Sequence, residues 1–258
     1  MGFADFPLPV IFVASVVVFL GASELGRGLG VVGTRQGQGN VSTIEASVLG
    51  LLALMLGFTF SLALSRFEER RDAVLVEANS IGTAALRARL LPAPHGSESI
   101  TLLREYLQIR IDIAQGANSP PQIAAAVSRS NAIQEALWQH AMAAAAGNNG
   151  MVPTGLYIQS LNDVFDSQER RLIAALSTVP DIVLIALYCI AIIACTFAGY
   201  ASGLESLRSR IPILTIVVVV SFVLLLVLDL DRPTAGLIRA SQQPLLDTAA
   251  TIASFADR

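Results

Sequence analysis

The stretch 44-IEASVLGLLALMLGFTFSLALSRFEERRD-72 decides the fold. Residues 44–64 carry a single charge, Glu45, and the next charge is Arg66. An apolar run of this kind, about 20 residues long, crosses a bilayer as a helix. No proline separates Ile44 from Leu91, so the helix is expected to continue past the charged Arg66–Asp72 segment. About 48 residues at 1.5 Å each make a rod of about 72 Å. The hydrocarbon core is only about 30 Å thick, so roughly 40 Å of helix would project beyond it. Gly82 is the one place where a bend is expected.

The rest of the chain agrees with a membrane protein. Hydrophobic residues make up 53% of its 258 positions and charged residues 14%, against about 25% charged in a typical soluble domain. Three further apolar runs cover residues 7–22, 182–204 and 213–228, the last with Pro212 at a first helical position. The first lacks the basic n-region of a signal peptide and carries Asp5 there, so it reads as a retained span. All 17 basic residues are arginine, which reads as the composition of a GC-rich, bacterial genome. A net charge of −3 without a basic patch argues against a nucleic-acid partner.

Four spans place both termini and the segment 66–178 on one side. That side offers Arg66, Arg70, Arg71, Arg170, Arg171, Arg232 and Arg239 near the membrane, against Arg27, Arg35, Arg208 and Arg210 opposite. The excess places the termini and the middle segment in the cytoplasm of an inner-membrane protein. The middle segment shows helical stripes: Ile100, Leu103, Leu107, Ile111; then Ile123, Val127, Ile133, Leu137; then Leu161, Val164, Phe165, Leu172, Leu176. Pro92-Ala93-Pro94 and residues 147–150 (Gly-Asn-Asn-Gly) separate them. The expected class is all-α: four transmembrane helices with a cytoplasmic helical bundle inserted between spans 2 and 3. The expected parts are 1–65 (spans 1 and 2), 66–178 (the bundle), 179–230 (spans 3 and 4) and 231–258 (a C-terminal cytoplasmic segment).

Within the second span, Ser47, Leu51, Leu54, Phe58, Ser61 and Ser65 recur at alternating spacings of four and three and share one helix face. The face is polar at its ends and apolar in the middle. Two readings fit it. In one, the serines line a wet pathway and Leu54 and Phe58 form a constriction that gates by dewetting. In the other, the helix is an ordinary packed span whose serines bond back to its own backbone. Ala46, Gly50, Ala53 and Gly57 form an adjoining small-residue ridge suited to close packing. Glu45 either tunes an outer mouth or answers the helix dipole. Arg66, Glu68, Glu69, Arg70 and Arg71 form a charge belt in which Glu68 and Arg71 can pair along the helix.

Other features read as structural. Gly28-Leu-Gly30-Val-Val-Gly33 matches a dinucleotide-binding pattern but follows a membrane helix rather than a strand, so a flexible loop is expected. His95 and His140 have no second ligand at metal spacing and read as surface histidines. Asp229 and Asp231, with Pro233 and Gly236, read as a membrane-exit turn, since two carboxylates do not satisfy calcium. No nucleophile–base arrangement is present, so no enzyme, resident cofactor or metal is expected.

At two places the sequence resembles the bestrophin channels, and more closely the bestrophin-like family of bacteria and plants. One is Leu56-Gly57-Phe58 running on to Arg66–Arg71; the other is Asp231-Arg232-Pro233, Gly236 and Pro244-Leu245. The order of spans and insert agrees too. The resemblance implies a homopentameric ion channel whose second spans surround the pore. It also implies a C-terminal segment packing on the insert. By position, the apolar neck would fall on Gly50, Leu54 and Phe58, although Gly50 supplies no side chain. Glu68 stands where bacterial members have an aromatic residue, and Asp247 is the only carboxylate in 240–247, so calcium activation does not carry over. The expected partners are the lipid bilayer, further copies of the chain and inorganic ions. The rival expectation is a membrane sensor or scaffold that signals through its helical insert.

Overall fold

A computed structural model describes residues 6–32, 38–116, 119–204, 210–233 and 236–257. Eight helices are described: α1 (Leu8–Val32), α2 (Gln38–Ala88), α3 (His95–Gln115), α4 (Pro120–Gly147), α5 (Leu156–Leu176), α6 (Asp181–Leu204), α7 (Ile211–Asp231) and α8 (Gln243–Ala253). No strand occurs among the described residues. Four helices carry stretches long and apolar enough to cross a membrane, in α1, α2, α6 and α7. The chain divides into two compact units, 1–68 with 177–239, and 69–176 with 240–258.

The expected long second helix is present. α2 runs 51 residues without interruption, and Gly82 introduces no break. Its neighbour α1 differs from expectation. The first apolar run ends at Ala22, but the helix continues to Val32. Gly28 and Gly30 are therefore helical rather than in a loop; Gly33 lies outside the described residues. The physical reason is the packing of α1 on α6. A methyl at Gly26 would lie 2.0 Å from the Thr196 carbonyl oxygen, and one at Gly30 2.2 Å from that of Tyr200. Reciprocally, a methyl at Gly199 would lie 1.9 Å from the Ser23 oxygen and one at Gly203 2.4 Å from that of Arg27. Two small-xxx-small ridges thus bring the backbones into direct contact, a device suited to lipid, where apolar burial does not drive association. Dispersion between close backbones offsets the poor helix propensity of glycine.

Around this crossing, Phe19 of α1, Leu52 of α2, Leu187 and Ala191 of α6, and Val217 and Leu224 of α7 belong to one buried apolar cluster. The Ser15 and Tyr188 hydroxyls meet at 2.9 Å. A second cluster joins Ile11, Ala63, Val179, Leu184, Val227 and Leu230.

The other unit is a soluble-type bundle. The sequence stripes face its core: Leu103, Leu107 and Ile111 of α3, Ile133 and Leu137 of α4, and Leu161 and Val164 of α5 are buried. Ile123, the first residue of the second stripe, and Leu176, the last of the third, are instead exposed, Leu176 by 83%. α2 contributes Ala78, Ala84, Ala85 and Ala88, whose small side chains let neighbouring helices approach closely. α8 joins the same core through Leu245 and Ile252. Arg104 Nη2 donates to the Ile252 carbonyl at 2.8 Å, and the Arg89 guanidinium lies 4.9 Å from the Phe255 ring centre.

One polar network sits inside the bundle. Glu77 of α2 is fully buried. Its Oε1 accepts from Arg110 Nε of α3 at 2.6 Å, and its Oε2 accepts from Arg171 Nη1 of α5. Arg171 also donates to Gln242 at 3.0 Å, which ties the residue before α8 to the network. The Tyr106 hydroxyl donates to Gln168 Oε1 at 2.8 Å, and Gln168 donates to Asn131 of α4 at 3.0 Å. Burial first, and the Glu77 carboxylate second, holds the Tyr106 hydroxyl above the ordinary phenol range. Burial likewise pushes Tyr157 up to about 12. Both phenols therefore stay protonated at neutral pH.

A buried ion pair is dangerous to break from one side, because the remaining charge loses its partner. Glu77→Gln is expected to cost about 3–5 kcal/mol, read as a lower melting temperature of the detergent-purified protein. The double variant Glu77→Gln/Arg110→Met is expected to recover part of that loss. Gly199→Leu is expected to destabilise by forcing α1 and α6 apart, with a cost of about 1–3 kcal/mol for overpacking.

Candidate functional site

The exposed side of α2 is the first candidate. Ser47, Gly50, Leu51, Leu54, Phe58, Ser61 and Ser65 are all exposed on it. Leu54 is 55% exposed and Phe58 64%. The opposite side carries Leu52, Thr59 and Ala63, which are buried. The chain thus gathers the sequence-derived face on one side and covers none of it. Gly50 and Gly57, two members of the small ridge, meet nothing within 4 Å among the described residues. The Ser47 hydroxyl donates to the Thr43 carbonyl at 2.8 Å, so this serine is satisfied by its own helix. Glu45 is half-buried and engaged with neighbouring groups.

The charge belt is divided by the helical period. Arg70 is buried and Arg66 half-buried, whereas Glu68, Glu69 and Arg71 are exposed. Glu68 and Arg71 form no ion pair among the described residues, in keeping with the small gain such a pair has in water. Glu68 lies one turn beyond Ser65 and so extends the uncovered face with a negative charge.

The turn after α7 is the second candidate. Asp229 is buried, and its two carboxylate oxygens accept from the backbone N–H groups of Leu237 at 2.8 Å and Ile238 at 3.1 Å. A methyl at Gly236 would lie 2.5 Å from Asp229 Oδ1, so glycine is what lets the chain wrap the carboxylate. Asp231 Oδ1 accepts from Val179 N–H at 2.7 Å, just before α6 begins. Arg232 donates to the Phe6 carbonyl ahead of α1. Pro233 follows, where the helix has ended. These two carboxylates are committed to backbone donors. Charge-assisted bonds of this kind pin α6, α7 and the start of α1 together within their unit.

Sequence reasoning misses two groupings. The Glu77 network is invisible to it because its arginines lie 33 and 94 positions away. The histidines that read as isolated surface residues lie side by side. Among the described residues, His95, Glu98 and His140 bring one potential ligand atom each to within 4.8 Å of one another. Only the pairing of α3 with α4 reveals this.

Asp229→Asn keeps an acceptor but removes the charge. It is expected to lower stability by about 1–3 kcal/mol, measured by thermal unfolding in detergent. Gly236→Ala is expected to act in the same direction by displacing the same carboxylate.

Known proteins share this architecture. A model of the bestrophin-like domain matches residues 12–245. A crystal structure of a bacterial bestrophin homolog from Klebsiella pneumoniae superposes with a TM-score of 0.65 at 17% identity, covering 95% of this chain and 96% of that one. A single-substitution variant of the Klebsiella pneumoniae homolog gives 0.66 at 17% identity, covering 93% and 94%. A further crystal structure, described as a variant of a membrane protein, gives 0.66 at 18% identity, covering 96% of both chains. No curated protein gives a significant match.

Proposed function

Because the chain belongs to the bestrophin-like family, we propose that it is one subunit of an ion channel, a homopentamer in the bacterial inner membrane. The observation that carries this reading is the uncovered face of α2. A single chain leaves Leu54 and Phe58 more than half exposed, next to glycines that meet nothing. Around a symmetry axis this face lines a pathway. Leu54 and Phe58 form the neck, and a ring of apolar side chains there closes the pathway by dewetting. Gly50 adds no side chain, so the neck is shorter than a three-ring stack.

Ser47, Leu51, Ser61 and Ser65 line the flanking stretches and Glu45 sits at the outer mouth. On the inner side Glu68 follows Ser65. Rings of carboxylate at such positions favour cations. In this reading the termini, the bundle 66–178 and the C-terminal segment 231–258 are cytoplasmic, as the arginine excess suggests. The bundle anchors the inner part of α2 through Glu77, Arg110 and Arg171. The turn of Asp231, Pro233 and Gly236 fixes how the last span leaves the membrane.

Native mass spectrometry of the detergent-purified chain is expected to give five copies. In proteoliposomes, Leu54→Ala/Phe58→Ala is expected to raise ion flux at least severalfold over wild type, with unchanged oligomeric state. A monomer or dimer, or a flux that the double variant leaves unchanged, removes the channel reading in favour of a sensor or scaffold.

A further inference from the structure

We propose that His95, Glu98 and His140 form a binding site for a divalent transition-metal ion of the zinc class. His95 and Glu98 lie in the first turn of α3, and His140 lies in the second half of α4. Their ligand atoms fall within 4.8 Å of one another. A tetrahedral ion with bonds of about 2.0–2.1 Å needs neighbouring ligand atoms about 3.3 Å apart. One pair already meets that spacing: His140 Nδ1 and Glu98 Oε2 are 3.2 Å apart. The His95 ligand atom lies within 4.8 Å of both.

The second observation concerns His95 itself. Its Nδ1 is buried and has no hydrogen-bond partner among the described residues, a condition that buried polar atoms rarely tolerate. The 3.2 Å contact between Glu98 and His140 accounts for those two residues and leaves this nitrogen unexplained. The two imidazole rings stand 5.8 Å apart and are tilted by 55°. A metal ion bound by one nitrogen of each imidazole and by the Glu98 carboxylate would draw the three groups together.

The donor set chooses the ion. Two imidazoles and one carboxylate suit zinc and its neighbours, whereas calcium and magnesium require more oxygens. The carboxylate has a further role. The start of α3 carries the positive end of a helix dipole, which opposes a cation, and Glu98 offsets it. Three protein ligands leave the fourth position to solvent. Glu98 and His140 are partly exposed, which gives the ion a route in. Bound metal would fasten the α3 N-terminus, next to the Pro92–Pro94 turn, to α4. It would thereby set the rigidity of the bundle. This inference does not depend on the channel reading.

The test uses the full chain in detergent, stripped with a chelator and exchanged into metal-free buffer. Titration with zinc chloride is expected to show one ion bound per chain and to raise the melting temperature by several degrees. Cobalt chloride is expected to give the intense visible bands of a four-coordinate ion. His95→Gln and His140→Gln are each expected to weaken zinc binding at least tenfold and to abolish the cobalt bands. Glu98→Gln, at a half-exposed position, preserves the fold and is expected to weaken binding at least tenfold as well. Absence of zinc binding in the wild-type chain overturns the proposal. So does zinc affinity unchanged in Glu98→Gln, whether or not the histidine variants fold.

Discussion

The rest of the structure depends on one constraint: α2 is a single helix that contributes to both compact units without a break. Its buried side changes chemistry along its length while keeping its register. In the membrane-type unit it presents Leu52, Thr59 and Ala63; further on it presents Arg70, Val74, Glu77, Ala78, Ile81 and Ala85. An α-helix holds such a face only if the spacing stays near 3.6 residues throughout, and it does. A charged residue on that face is tolerable where partners reach it, so Glu77 is met by Arg110 and Arg171. Any proline in this stretch would remove a backbone hydrogen bond and turn one face away from the other. The two units therefore share a helix whose exposed and buried sides are both fixed by sequence spacing.

Much of this architecture is legible in the amino-acid sequence. Apolar runs of about bilayer length mark the spans, and the stripes at Leu103, Leu107 and Ile111 or Leu161 and Val164 mark helices with one buried face. Such patterns are local, so a linear reading carries them. The membrane end of α1 is not legible, for a definite reason. Gly26, Gly28 and Gly30 together look like a loop when propensity alone is weighed. Gly26 and Gly30 are held by backbone contact with Thr196, Tyr200 and Gly203, which lie in another helix, and Gly28 is carried along between them. The same limit hides the histidine pair and the Glu77 network. Their members are ordinary polar residues on separate helices until α3, α4 and α5 pack.

Asp229, Asp231 and Gly236 show the intermediate case. Sequence places a turn there, and the structure gives the turn its mechanism. The carboxylates are aimed at backbone N–H groups rather than at an ion. Chain ends leaving a membrane helix have donors that lack intrahelical partners, and a buried anion satisfies two or more at once. The glycine is the geometric condition for it, because a side chain at 236 would occupy the carboxylate's place.

Glycine also bears on assembly. Within a helix each glycine costs roughly 1 kcal/mol relative to alanine. Gly26, Gly30, Gly199 and Gly203 offset that cost inside the chain by backbone contact. Gly21 and Gly28 on α1, and Gly57 on α2, meet nothing within 4 Å and have no such offset among the described residues. Leu25 and Leu29 stand exposed beside the α1 pair. A two-fold dimer needs one self-complementary patch per copy, whereas a cyclic ring needs two different ones. Small-residue faces on two separate helices fit the second requirement. Lipid alone gains nothing from glycine at these positions, because any apolar side chain would serve it equally. The proposed ring supplies what the isolated chain lacks, a neighbouring surface close enough to use them.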